Sequence, residues 1–224
     1  MTDAKPVTIG IDENIRVSGL LQTPKAARAC YVLAHGAGAG MHHAFMTAVA
    51  AELADRGIAT LRYQFPYMEQ GSKRPDPPAL CHATVRAAVA KAGALKLPLI
   101  AGGRSFGGRM TSQAQAKSAL PGVRGLAFLG FPLHPAGRPS DERAAHLFDV
   151  AIPMLFLQGT RDALAELSLL RPLIDRLGQR ATLTVFEDAD HSFHVPAKTG
   201  RKDAEVRAEM LDALVAWTRG VIAA

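Results

Sequence analysis

The stretch Pro98-Leu99-Ile100-Ala101-Gly102-Gly103-Arg104-Ser105-Phe106-Gly107-Gly108-Arg109-Met110 decides how this chain is read. The apolar run PLIAG leads into Gly103-Arg104-Ser105-Phe106-Gly107, and a helical pattern follows over 106–118 until Pro121-Gly122 stops it. Gly-x-Ser-x-Gly between a strand and a helix describes a sharp turn with a serine at its apex. Glycines two places before and after Ser105 let strand and helix approach without Cβ clashes. The free N–H groups and positive dipole of the helix start then point at any negative charge that develops beside the serine. The pentapeptide alone is common; its strand-to-helix context gives it weight.

On either side of this turn, strands alternate with helices, the pattern of an α/β fold with a mostly parallel sheet. Strands are expected at 7–12 and 15–21, joined by Glu13-Asn14 as a hairpin, then at 29–34, 58–62, 98–102, 123–130, 153–158 and 182–186. Helices are expected at 43–56, 79–93, 106–118, 142–148, 163–177 and 203–219, the last with Val206, Met210, Leu214, Trp217 and Val221 as its apolar stripe. The proline-bearing segments 64–78 and 131–140 read as loops. About eight strands and six helices thus fill a single domain over 1–224.

A nucleophilic serine in such a turn needs an acid and then a histidine downstream. Gly159-Thr160-Arg161-Asp162 follows the strand 153–158, and Glu187-Asp188-Ala189-Asp190-His191 follows the strand 182–186. Asp162 and His191 therefore both fall just beyond the carboxyl ends of parallel strands, where open α/β sheets carry their sites. His191 is the expected general base, and Asp162 the carboxylate that fixes its tautomer. His194 is a rival base. Asp188 and Asp190 read as loop carboxylates, and Asp149 precedes its strand and so falls at the wrong end of the sheet. The loop His35-Gly36-Ala37-Gly38-Ala39-Gly40 follows the apolar strand ACYVLA. The backbone amides of Ala37 and Phe106 are the candidate donors to an oxyanion. The same loop fails the dinucleotide fingerprint because position 41 is Met. The Gly103 stretch fails as a P-loop because Arg109-Met110 stands where Lys and Ser/Thr are required. His35, His42 and His43 are neighbours without metal-ligand spacing, so neither a metal nor a cofactor is expected.

Composition sets the outer limits. The chain has 224 residues, 48% hydrophobic and 21% charged, which suits a folded domain with a real core. The net charge is +6, and no acidic residue occurs between Asp76 and Asp141, where Arg86, Lys91, Lys96, Arg104, Arg109, Lys117, Arg124 and Arg138 lie. These residues read most simply as solvated helix faces, or else as a positive field around a site for an acidic substrate. No basic-and-aromatic motif accompanies them, so no nucleic-acid partner is expected. Cys30 and Cys81 are too few for a disulfide framework. The charged N-terminus has no apolar signal region, and no run of about 18 apolar residues marks a membrane span. A cytoplasmic protein with a small-molecule partner is expected.

Taken in order, ACYVLA-HGAGAG, GGRSFGG, QGTRD and DADHSF resemble the α/β-hydrolase superfamily over nearly the whole chain. The nonapeptide GGRSFGGRM at 102–110 more narrowly resembles a subgroup of testis-expressed and chromatin-complex proteins. That subgroup includes small bacterial homologues related to the dienelactone-hydrolase type. The resemblance implies an α/β-hydrolase fold, with about eight mostly parallel strands and helices on both faces of the sheet. It also implies a Ser105–Asp162–His191 triad and hydrolysis of a small carboxylic ester, thioester or lactone through an acyl-enzyme. A non-catalytic binding or scaffold protein of the same fold is the alternative, and acyl transfer or peptide cleavage a third. Only 131–152 separates the sixth strand from the next, so no lid domain is expected. An open site shaped by Phe65, Pro66, Phe106, Phe131, Leu133 and His134 follows, with Arg62, Lys73 and Arg104 nearby. Arg62, Arg104, Phe131 and His134 are the expected substrate contacts, for small and acidic substrates.

Overall fold

The run Ala29-Cys30-Tyr31-Val32-Leu33-Ala34 has no polar position, and it becomes a strand buried at every residue. The structure, a computed structural model, describes residues 2–223. Its strands are β1 (Lys5–Gly10), β2 (Arg16–Gln22), β3 (Ala29–Ala34), β4 (Ile58–Tyr63), β5 (Leu99–Arg104), β6 (Val123–Leu129), β7 (Met154–Gly159) and β8 (Ala181–Phe186). They form one sheet in the order β1-β2-β4-β3-β5-β6-β7-β8. The β1–β2 and β2–β4 pairs are antiparallel, and every later pair is parallel.

Parallel strands covered on both faces need apolar side chains on both. In β3, Cys30, Val32 and Ala34 enter one core, and Ala29, Tyr31 and Leu33 enter the other. The first core is closed by α3 (Pro78–Gly93), α4 (Phe106–Lys117) and α5 (Leu167–Leu177), through Val85, Val89, Met110, Leu170 and Leu173. The second is closed by α1 (Ala44–Asp55) and α6 (Asp203–Ala223), through Met46, Val49, Leu53, Val206, Met210 and Leu214. Trp217 and Val221 complete the α6 stripe at its half-buried margin.

Four expectations change. The first hairpin turns through 11–15 rather than through two residues, because Asp12 Oδ1 accepts the amides of Asn14 and Ile15 and closes a wider loop. Segment 64–78 holds the short helix α2 (Pro66–Glu69). Pro66 presets its first turn, and Glu69 accepts hydrogen bonds from the Ser18 amide and hydroxyl. The stretch 163–166 is turn rather than helix: Asp162 closes it by accepting the Leu164 amide on Oδ1 and the Ala165 amide on its carbonyl, and the extended ψ of 134° at Glu166 delays the helix to Leu167. The expected helix at 142–148 is a 3-10 segment, Glu142–Asp149. The connection from β6 to β7 holds that segment and no lid domain.

The end of β5 shows why glycine is required before the Ser105 turn. Gly102 and Gly103 have φ of 149° and 150°, and a Cβ there would lie 1.9 Å from the Ala127 carbonyl oxygen and 2.2 Å from that of Ala34, respectively. Neighbouring main chain leaves no space for a side chain. Gly103→Ala is therefore expected to cost about 3 kcal/mol or more of stability, read from urea unfolding. An unchanged midpoint would show that the strand end relaxes freely.

Candidate active site

Ser105 caps the N-terminus of α4 with φ 49° and ψ −117°, a conformation that L-residues seldom adopt. Its amide donates to the Leu129 carbonyl of β6 at 3.2 Å, and its carbonyl accepts the Arg109 amide at 3.1 Å. On the far side of the turn, a Cβ on Gly107 would lie 2.5 Å from the His35 carbonyl oxygen. Strand β6 and the loop after β3 thus hold the turn between them.

The three residues expected to act together do meet. The Ser105 hydroxyl lies 2.8 Å from His191 Nε2, and His191 Nδ1 lies 2.6 Å from Asp162 Oδ2. With Nδ1 protonated, the imidazole donates to the carboxylate and accepts from the serine. Asp162 is buried, and the His191 side chain is 20% exposed, so the acid is sheltered while the ring reaches the surface. Asp162 also accepts from Leu164 N on Oδ1 and from Gln158 Nε2 on Oδ2. The loops carrying Asp162 and His191 are tied to one another. Arg161 N donates to the Ala189 carbonyl, and Gly159 leaves the room that Ala189 needs, since a Cβ there would lie 2.1 Å from the Ala189 oxygen. Asp190 closes the histidine loop on itself by accepting the amides of Ser192 and His194. His194, the rival base, is turned to solvent and pairs with Asp203 at 2.9 Å.

The loop after β3 lies against the serine: a Cβ on Gly36 would be 3.8 Å from Ser105 Cβ. Among the described residues, the amides of Ala37 and Phe106 donate to no protein acceptor. His35 is a buried brace. Its Nδ1–H donates to the Gly36 carbonyl at 2.8 Å, and its Nε2 accepts the Phe65 amide at 3.1 Å. Burial pushes the pKa of its ring down to about 4. His43 caps α1 by accepting the Phe45 amide.

The expected substrate contacts need correction. Arg62 is 3% exposed and donates to the Met41 carbonyl and the Thr47 hydroxyl. Gln64 accepts the Met41 amide, so the two β4-side residues grip the loop's far end rather than a ligand. Phe131 is fully buried and packs against Phe128 and Phe156. His134 is fully buried too, with Nδ1 donating to the Pro135 carbonyl. Phe65, Pro66 and Leu133 lie beneath the surface as well; of the expected apolar wall, Phe106 is half-exposed. Arg104 is spent on the histidine loop: it donates to the Ser192 hydroxyl at 2.9 Å and stacks 4.8 Å over Phe45.

Gln158 escaped the sequence reading. It is fully buried at the end of β7, and while Nε2 donates to Asp162, Oε1 accepts the Phe131 amide. Its signal was a lone amide at the carboxyl end of an otherwise apolar strand, four residues before the acid.

Residues 27–219 match the family described as "Alpha/beta hydrolase domain", and the chain belongs to that family. Three solved structures are similar to it. A lid-less α/β serine hydrolase from Xanthomonas campestris is 22% identical with a TM-score of 0.75, over 97% of this chain and 96% of that one. A dienelactone hydrolase from Anabaena variabilis is 19% identical with a TM-score of 0.78, over 98% of both chains. The esterase domain of a Rhodothermus marinus protein is 18% identical with a TM-score of 0.73, over 97% of this chain and 98% of that one. The α/β-hydrolase fold expected from the motifs is therefore present, in its form without a lid. The narrower likeness to the testis-expressed subgroup has no counterpart among these relatives.

Two outcomes follow from this geometry. Gln158→Leu leaves the Phe131 amide without an acceptor and takes one of three donors from Asp162, and should cost about 1–3 kcal/mol in urea unfolding; a neutral effect would show that neither bond matters. For His35, the unfolded ring has the ordinary pKa of 6.5 and takes up its proton first as the pH falls. The stability contributed by the neutral buried ring is complete above 6.5 and is lost between 6.5 and 4, at no more than about 1.4 kcal/mol per pH unit. Urea midpoints measured at pH 7, 5.5 and 4.5 should fall less steeply in His35→Gln; equal slopes would refute the assignment.

Proposed function

We propose that the protein hydrolyses small carboxylic esters, thioesters or lactones through an acyl-enzyme on Ser105. The observation that carries this reading is the unbroken chain of two hydrogen bonds from the Ser105 hydroxyl through His191 to the buried Asp162, set on a strained turn. Ser105 Oγ attacks the substrate carbonyl as its proton passes to His191 Nε2. Asp162, held by Gln158 and the Leu164 amide, keeps Nδ1 protonated and stabilises the imidazolium. The unengaged amides of Ala37 and Phe106 are the donors for the oxyanion. His191 then returns the proton to the leaving group, and a water that it activates releases the acyl group.

The fold without a lid domain favours small substrates that need no enclosing cover. The buried, unpaired Cys30 and Cys81 suit a reducing compartment such as the cytoplasm, and no helix among the described residues is long and apolar enough to cross a membrane. The chemistry asks for neither metal nor cofactor.

A fluorophosphonate probe is expected to label the wild-type protein at Ser105. Labelling should vanish in Ser105→Ala and fall steeply in His191→Ala, with folding checked by circular dichroism. Asp162→Asn should lower kcat on 4-nitrophenyl acetate by about 10³-fold or more. A folded wild-type protein that takes no label and turns over no ester would sink the proposal in favour of a binding role.

A further inference from the structure

With Arg104 committed to Ser192 and Phe45, a different arginine is left without a partner beside the serine. Arg109 lies one helical turn along α4 and donates its amide to the Ser105 carbonyl. Side chains on a helix lean toward its N-terminus, so Arg109 leans toward the end that carries Ser105. Its guanidinium lies 5.8 Å over the ring of Phe106, the residue that follows the nucleophile.

Among the described residues, Arg109 has no ion pair and no side-chain hydrogen bond, and its Nε is buried without an acceptor. The groups facing it do not neutralise it. Arg143, on the 3-10 segment, has the same sign, and the Cys81 thiol on α3 is held protonated by burial, its pKa near 12. His146, also on the 3-10 segment, is kept neutral by burial and by Arg109 itself, with its pKa down at about 4. The acids of this face are turned to other groups: Asp76 accepts the Tyr67 amide at 2.9 Å, and Asp149 lies toward His146. Arg143 likewise makes no ion pair and no side-chain hydrogen bond among the described residues.

A half-buried cation that faces a second cation and pairs with none of the acids on its face is unfavourable until an anion arrives. Two neighbouring guanidiniums offer the forked donors that suit a carboxylate. We infer that Arg109, with Arg143 beside it, forms the anion subsite of the Ser105 centre and takes a carboxylate carried by the substrate. This rests on the acyl-enzyme reading above and names the substrate class for it. The specificity expected from sequence is retained, but its source moves from Arg104 to the next turn of α4.

Two ester pairs test the inference and tell which part of the substrate carries the charge. The acyl-side pair is mono-4-nitrophenyl glutarate against 4-nitrophenyl pentanoate. The leaving-group pair is 4-(butanoyloxy)benzoate against its methyl ester. In at least one pair the wild type should favour the carboxylate in kcat/KM by about tenfold or more. Arg109→Gln should erase most of that preference, chiefly by raising KM for the anionic member. Arg109→Lys should keep part of it, and Arg138→Gln, at an exposed position, should leave it unchanged. The Tm of Arg109→Gln should hold or rise, since an uncompensated charge is removed, whereas loss of a structural arginine would lower it. An active, probe-labelled enzyme with no preference in either pair, or with a preference unaltered in Arg109→Gln, overturns the subsite alone. A wild type that neither labels nor hydrolyses any of the four esters overturns the subsite together with the hydrolase reading.

Discussion

Main-chain contact around one strained turn is the constraint on which the rest depends. Ser105 holds positive φ as a non-glycine residue, a state that costs on the order of 1–3 kcal/mol and persists only when its surroundings enforce it. Here the enforcement comes from backbone. The Leu129 carbonyl takes the Ser105 amide, Gly103 lies against Ala34, and Gly107 lies against the His35 carbonyl. Each contact belongs to a strand next to β5 or to the loop leaving it, so the sheet order β3-β5-β6 itself aims the serine. The acid and the histidine come from β7 and β8, the next strands along. Their loops are joined to one another through Arg161, Gly159 and Ala189, so they arrive at the turn as one piece.

The side chains near the centre divide into those that hold loops and those left free. Arg62 and Gln64 grip Met41, Arg104 reaches Ser192, and Asp190 folds its own loop. Each of these side chains uses at least one donor or acceptor on the protein, although Arg62 also keeps a buried Nε–H without an acceptor. The unpartnered Arg109 and the unengaged amides of Ala37 and Phe106 stand out against them. Arg109 differs from Arg62 and Arg104 in that its guanidinium makes no hydrogen bond to protein at all among the described residues.

Residue type and position after a strand were enough to expect Ser105, Asp162 and His191 to meet, because strand ends of a parallel sheet converge at one edge. The glycine pattern was readable too, since close backbone approach tolerates no other residue. Side-chain direction was not readable. Phe131 and His134 follow β6 directly and look like site residues, yet tertiary packing turns both into the core. Arg104 and Arg109 occur in one nonapeptide and differ only in which neighbours they meet, Ser192 and Phe45 for one and Phe106 and Arg143 for the other. Local backbone geometry also defeated pattern: a turn closed by Asp162 and the extended Glu166 delay the helix expected over 163–177 to Leu167, and Pro66 begins a helical turn inside a segment whose prolines suggested only loop.

Gln158 joins two tasks in one buried amide. One face of its amide steadies the acid, and the other fixes the first residue of the connection between β6 and β7. Beyond His134 that connection runs exposed through Pro135, Ala136, Gly137, Arg138 and Pro139 before the chain returns to the 3-10 segment. The chain is thus clamped beside Asp162 and exposed a few residues later. New segments can be grafted into the exposed portion, where no buried backbone group must be re-satisfied, while the clamp holds Asp162 apart from the insertion. A minimal scaffold of this kind can acquire a cover without disturbing the hydrogen bonds that join Ser105, His191 and Asp162.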